Sequence, residues 1–312
     1  MDDPTCPICD RGSVGVIYKG LFDDRYGCPD VVDVIRCSQC GHHFLSPLRP
    51  DQKLGDLYRS YYGRDDPSIS TRPRTRTSRF LREALPDTRI LGAADGRCLL
   101  DVGCGSGEFL RVAQDNGFKA TGIDVDPSAV AAAHRSGLTA LVGSALKNPL
   151  KGARFDVITL NQVIEHVQDP VETLTALRDS LSYGGIIFLA TPNGDSASLR
   201  RMGTKWMHWH VPYHQHIFTP ESLRLAASAA GLTLLLQKSR TPLEWLRLQQ
   251  QHLREPVLNG TARWPWRGKP TVRRPRGSDT KDRVFGVARA SVSLIDDLRG
   301  NGDCIMATFT RS

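Results

Sequence analysis

Leu99-Leu100-Asp101-Val102-Gly103-Cys104-Gly105-Ser106-Gly107-Glu108-Phe109-Leu110 is the stretch on which the reading of this chain turns. Cys98-Leu99-Leu100 is an apolar run without alternation, the pattern of a parallel strand covered on both faces. Three alternate glycines then let the backbone turn sharply and approach a ligand with no Cβ in the way. The helix that follows aims free N–H groups back at the turn. Strand, glycine turn and helix start, in that order, make a loop that cradles a nucleotide-like ligand.

Spacing narrows the ligand. The dinucleotide fingerprint Gly-x-Gly-x-x-Gly/Ala, counted from Gly103, ends on Glu108, a bulky acid where close helix–strand packing needs a small residue. The pattern is instead Asp-x-Gly-x-Gly-x-Gly. Asp101, at the strand end, would repel a pyrophosphate but suits the ammonium group of an amino acid. Ala120-Thr121-Gly122-Ile123-Asp124-Val125-Asp126 reads as a second strand ending in an acid, with Asp124 placed to hold ribose hydroxyls. A ligand with a cationic amino-acid end and a ribose is S-adenosylmethionine (SAM). The competing readings are a nicotinamide-nucleotide domain and a glycine-rich turn of no function. On these residues the chain resembles the class I SAM-dependent methyltransferases. The resemblance implies an α/β fold with a Rossmann-like seven-stranded sheet, and a cofactor site of Asp101, Gly103, Gly105, Gly107, Asp124 and Val125.

Further stations of that fold follow in order. Thr139-Ala140-Leu141-Val142-Gly143-Ser144-Ala145 reads as a third strand, whose end would set Ser144 and Ala145 beside the adenine. The family often has an acid there, and Ser144 departs from that. Phe155-Asp156-Val157-Ile158-Thr159-Leu160 reads as a fourth strand running into Asn161-Gln162-Val163-Ile164-Glu165-His166. Ligands of open parallel sheets lie off the carboxyl ends of the strands, so Asn161 and Gln162 are expected to face the cofactor, with Glu165 and His166 on the next turn. Leu181 to Leu189 reads as a helix end, a glycine turn at Gly184-Gly185 and a fifth strand. Leu232 to Leu236 and Cys304 to Phe309 read as the sixth and last strands, adjacent and antiparallel in this fold.

The chain has 312 residues, 40% of them hydrophobic, which is enough for one large domain and an appendage. Three segments are expected: 1–48, 49–95 as a helical connector or lid, and 96–312 as the SAM-binding domain. No apolar run reaches the ~18 residues of a membrane span. Met1-Asp2-Asp3-Pro4 is acidic, with no secretory apolar run, so the expected compartment is the cytoplasm, where thiols stay reduced. The eight cysteines are then better read as metal ligands or buried thiols than as disulfides. Cys6-Pro7-Ile8-Cys9 and Cys37-Ser38-Gln39-Cys40 form two C-x2-C knuckles, able to close four thiolates around one structural Zn²⁺ in a zinc ribbon. Cys28, His42 and His43 read as non-ligands. In the connector, Leu54, Leu57, Tyr58, Tyr61 and Tyr62 fall at helical spacing, and 79–85 reads as a second helix.

Two stretches remain. Trp206 to Leu223 holds four of the nine histidines and ends in Thr219-Pro220-Glu221, a helix start with its cap. It resembles the Trp…Pro-x-His-x-x-x-Phe-Thr stretch of bacterial methyltransferases that carry an N-terminal Cys-knuckle domain, many of them in surface-polysaccharide or natural-product pathways. It is also similar to the Tyr-His-Glu-His run of zinc-bearing deoxysugar C-methyltransferases, with Gln215 in place of the acid. These aromatics and histidines either pack a lid or serve the acceptor. Residues 240–283 carry eleven Lys/Arg against four Asp/Glu, +7 of the chain's +8, with Trp245, Trp264, Trp266 and five prolines. Such an arm could grip nucleic acid, hold an anionic saccharide, or lie solvated.

The expected function is methyl transfer from SAM to a hydroxyl of a sugar, glycan precursor or other small metabolite. The methyl is already activated, so the protein mainly supplies position, while a hydroxyl also has to lose its proton. His214 and His166 are the expected bases, with Tyr213 and His216 orienting the acceptor. The alternatives are an RNA methyltransferase gripping its substrate through ribbon and arm, and a SAM-binding protein without catalysis.

Overall fold

The computed structural model describes residues 5–10, 14–61, 97–254, 258–261 and 293–312. Two sheets organise them. The larger has seven strands: β4 (Cys98–Val102), β5 (Lys119–Asp124), β6 (Ala140–Val142), β7 (Phe155–Asn161), β8 (Leu181–Pro192), β10 (Leu232–Arg240) and β11 (Cys304–Arg311). Their order across the sheet is β10-β11-β8-β7-β4-β5-β6, with β11 alone antiparallel to its neighbours. The chain starts in the middle at β4, runs outward to β6, then crosses back to β7. Strand order therefore reverses between β4 and β7, and a crevice opens at that switch point off the carboxyl ends.

Leu99 and Leu100 are consecutive and both fully buried, although their side chains take opposite faces. Leu99 packs with Phe109, Leu110, Ala113 and Ala133; Leu100 packs with Leu174, Leu177, Leu223 and Ala226. The first set lies on α2 (Glu108–Asp115) and α3 (Pro127–Arg135), the second on α4 (Pro170–Asp179) and α6 (Pro220–Ala229). Helices thus cover both faces, as the unbroken apolar run requires. Three of these helices start on a capping side chain followed by proline: Asp126-Pro127, Asp169-Pro170 and Thr219-Pro220.

The smaller sheet is β1 (Val14–Phe22), β2 (Val31–Cys37), β3 (His43–Ser46) and β9 (His216–Ile217), in that order. The first three follow the Cys6–Cys9 knuckle and flank the Cys37–Cys40 knuckle. The fourth belongs to the histidine-rich stretch. His43 pairs with Ile217 and Phe44 with His216, so the ribbon is stitched to the chain that leaves β8. Trp206, Trp209, Val211 and Ile217 bury themselves against Leu21, Val32, Val34 and Leu45 of the ribbon. Also in this layer are α1 (Asp51–Ser60), α5 (Ala197–Met202) and α7 (Leu243–Arg254).

The structure corrects three boundaries. Residues 181–185 are not a helix end and turn: α4 stops at Asp179 and β8 runs unbroken from Leu181, with Gly184 absorbing a positive φ of 72°. The sixth strand extends to Arg240, because β11 pairs with it along that length. The third is only Ala140–Val142. The second connector helix and most of the basic arm, including Trp264 and Trp266, lie outside the described residues.

Candidate active site

The glycine turn is held by its neighbours. Gly103 and Cys104 donate their N–H groups to the Ile123 carbonyl at 2.8 and 3.1 Å. Gly105 donates to Asp124 Oδ2 at 2.8 Å, and Asp126 donates to Oδ1 at 2.9 Å. All three glycines have positive φ, at 72°, 53° and 86°. A Cβ on Gly103 would stand 2.4 Å from Val163 Cγ2, and one on Gly107 would stand 2.3 Å from Leu138 Cδ1. A Cβ on Gly105 would meet nothing within 4 Å. Two glycines thus serve packing, and the middle one faces open space where a ligand can approach.

Asp101 is buried beside that space and accepts a hydrogen bond from Thr159 Oγ1 at 2.6 Å. Burial pushes its carboxyl up to about 7, against the Thr159 bond and helped by the Asp124 charge. Burial also raises Asp124. A cationic ammonium would offset both costs. Asn161 Nδ2 is buried without a partner, at the crevice end of β7. Gln162 has a φ of +57°, and its amide reaches Cys304 Sγ at 3.8 Å instead of standing free. Val125 is exposed, Ser144 Oγ accepts from Lys147 N at 3.1 Å, and Ala145 is buried in the core. The buried acid, the unobstructed glycine and the orphaned amide fit the amino-acid and ribose ends of SAM.

Across the switch point lies a histidine cluster. The ring of His166 is 4.6 Å from that of His214, and His214 is 4.7 Å from His210. His166 Nδ1 lies between two oxygens, the Tyr213 carbonyl at 3.1 Å and Tyr58 Oη at 2.6 Å. His214 Nδ1 donates to the His208 carbonyl at 2.8 Å. The His208 carbonyl can only accept, so His214 carries its proton on Nδ1 and presents a lone pair on Nε2, and the Tyr213 carbonyl favours the same tautomer in His166. Burial pulls His166 down to about 4 and holds His214 well below the ordinary range, so both are neutral. Tyr213 Oη donates to Asp23 Oδ2 at 3.3 Å, tying the cluster to the ribbon.

His216 takes no place in this group. Its Nδ1 meets His42 Nε2 at 3.0 Å and its Nε2 meets the Gln168 carbonyl at 3.4 Å, so neither nitrogen is left for an acceptor. It joins the ribbon to the chain that leaves β8, because β9 pairs with β3. Conversely, Tyr58, Thr159 and Asp23 adjoin these groups and were not expected there, while Glu165 stands beside His166 on the turn after β7, as expected. Tyr58 had been hidden by its place among the apolar residues of α1. Glu165 is fully buried, and its carboxyl is pushed up to about 8.

In the ribbon, the sulfurs of Cys6, Cys9, Cys37 and Cys40 lie within 4.8 Å of one another. Cys6–Cys40 and Cys9–Cys37 are each 3.6 Å apart. A tetrahedral ion with bonds of ~2.3 Å sets its sulfurs about 3.8 Å apart, so the four residues fit a zinc ion.

A seven-stranded sheet with one reversed strand, and a glycine turn between two strand-end acids at its switch point, define a class I SAM-dependent methyltransferase. The chain belongs to the methyltransferase-domain family, whose model matches residues 72–237, just over half its length. It is 32% identical to the ubiquinone biosynthesis O-methyltransferase of Cereibacter sphaeroides over 165 residues, covering 48% of this chain and 67% of that one. It is 36% identical to the enzyme of that name from Caulobacter vibrioides over 176 residues, covering 51% and 69%. The fold resembles a SAM-dependent methyltransferase from Archaeoglobus fulgidus, with a TM-score of 0.50 and 19% identity over 79% of this chain and all of that one. Among the described residues, no helix is long and apolar enough to cross a membrane.

Proposed function

We propose that this enzyme methylates a hydroxyl of a small acceptor, with a sugar or glycan precursor as the preferred class. The observation that carries the reading is the pair of imidazoles His166 and His214, with ring centroids 4.6 Å apart on the elements that follow β7 and β8. Val163 packs on the glycine turn, so the loop bearing His166 touches the cofactor cradle directly. An acceptor hydroxyl between these elements stands near both the methyl and two hydrogen-bond acceptors. The O-methyltransferase relatives support an oxygen nucleophile.

SAM supplies a methyl on a cationic sulfonium. Asp101 binds its ammonium, Asp124 its ribose hydroxyls, and Asn161 Nδ2 donates to it, while Gly105 leaves the room. Tyr213 and Tyr58 fix the His166 ring. Cys6, Cys9, Cys37 and Cys40 hold one structural zinc, a closed four-thiolate site with no position for substrate. The test is turnover on candidate sugar and nucleotide-sugar acceptors, followed by mass spectrometry of the product. His214→Ala should lower turnover by roughly 10²–10⁴-fold with SAM affinity nearly intact. Methylation confined to amines or carbon, or an unchanged rate in His214→Ala, overturns the reading.

A further inference from the structure

Glu165, His166 and His214 each place one donor atom within 4.8 Å of the other two. Each has its second polar atom already spent. His166 Nδ1 is held by the Tyr213 carbonyl, His214 Nδ1 by the His208 carbonyl, and Glu165 Oε2 accepts from Thr191 Oγ1 at 2.9 Å. Metal-binding histidines are oriented in this way, their far N–H given to a carbonyl so that the near nitrogen presents its lone pair. The remaining carboxylate atom, Glu165 Oε1, is fully buried and has no partner. An unmet buried oxygen costs on the order of 1–3 kcal/mol, more when it is charged, and a cation is the group that would meet it.

We propose that Glu165, His166 and His214 bind one divalent first-row metal ion, distinct from the four-cysteine site, and that the acceptor's hydroxyl oxygen occupies one of its open positions. Two imidazoles and a carboxylate suit manganese, iron(II), cobalt or zinc, whereas the thiolate site selects soft-ligand ions. Three protein ligands leave coordination free, as open metal sites do. The acceptor role rests on the hydroxyl reading above; the ion binding does not. Under this assignment the two histidines are ligands and not bases. The ion acidifies the hydroxyl, whose proton passes to solvent. The oxygen–methyl bond forms as the sulfur–methyl bond breaks, so the acceptor leaves as a methyl ether and the cofactor as its thioether.

The experiment uses the full chain with its zinc content measured. Mn²⁺, a poor thiolate binder, is titrated while electron paramagnetic resonance counts the free ion. Wild type should take up about one Mn²⁺ per chain beyond the zinc. Glu165→Gln, an isosteric change, and His214→Ala should each weaken uptake at least about tenfold, with zinc content and SAM affinity unchanged. A measurement on wild type alone guards against misfolded variants: pulsed resonance of the bound ion should show imidazole nitrogen couplings. No uptake of Mn²⁺ or Co²⁺, uptake unaffected by either substitution, or bound ion without nitrogen couplings overturns the proposal. If uptake fails while His214→Ala still abolishes turnover, His214 acts as a base, and the hydroxyl reading stands without the metal.

Discussion

Asp101 shows how much one buried side chain can report. Its folded-state value is about 7, above the ordinary 3.8, chiefly because burial disfavours the charge. The native state therefore holds a proton that the unfolded chain has already lost between those values, and this group's contribution to stability declines as pH rises through that window. A bound ammonium favours the ionised form. SAM affinity should then rise between about pH 6 and 8, and binding below about 7 should release a proton. Calorimetry in buffers of different ionisation enthalpy reads that proton, and Asp101→Asn should bind weakly with a flat profile. A wild-type affinity independent of pH would separate Asp101 from the ammonium. The glycines make a second comparison. Gly107→Ala should cost about 2–4 kcal/mol of stability, because its Cβ would overlap Leu138 at a positive φ. Gly105→Ala should cost about 1–2 kcal/mol and, with nothing protein-made nearby, act mainly on SAM, weakening it about tenfold or more. Equal SAM losses in two folded variants would contradict that division. The cofactor residues were legible in the sequence, since turn, strand ends and spacing are local. The acceptor residues were half legible. Tyr58 and Asp23 reach His166 and Tyr213 through tertiary packing that no local pattern encodes.

Elements explain where His216 sits. A two-residue strand, β9, lies inside a stretch dense in histidine, and its pairing with β3 reaches across the chain from residue 43 to residue 217. Such a bridge leaves only a period-two signature over two positions, too short to register against eight neighbouring aromatic and polar residues. The next element was plain, because capping is local. Thr219 Oγ1 accepts from Ser222 N and donates to the Cys40 carbonyl, both at 3.0 Å, and Ser222 Oγ accepts from Thr219 N at 2.9 Å. One hydroxyl thus starts α6 and grips the second knuckle. Thr219→Ala should destabilise the protein by about 1–2 kcal/mol, whereas Thr219→Ser should recover most of it. Thermal melts of the three proteins decide; an alanine variant as stable as wild type would show that the cap is idle.

For the whole molecule, the two sheets share one lid. The ribbon supplies Asp23 to Tyr213 and β3 to β9, so its integrity reaches the acceptor side, while none of its strands pairs with β4 or β5. Purified protein should carry about one tightly held zinc, and Cys37→Ser with Cys40→Ser should release it. Loss of the ion should depress turnover far more than SAM binding. Metal analysis beside calorimetry checks this, and equal losses of both would mean that the ribbon supports the entire fold instead of the lid.

The placement of β11 bears on synthesis. It lies between β8 and β10 in the sheet, yet Cys304 is translated 112 residues after Pro192, the end of its neighbour β8. Throughout that interval a nascent chain on the ribosome presents the unpaired N–H and C=O groups of β8 as an open edge, a template for intermolecular pairing. That edge closes only once β11 has been made and inserts between β8 and β10.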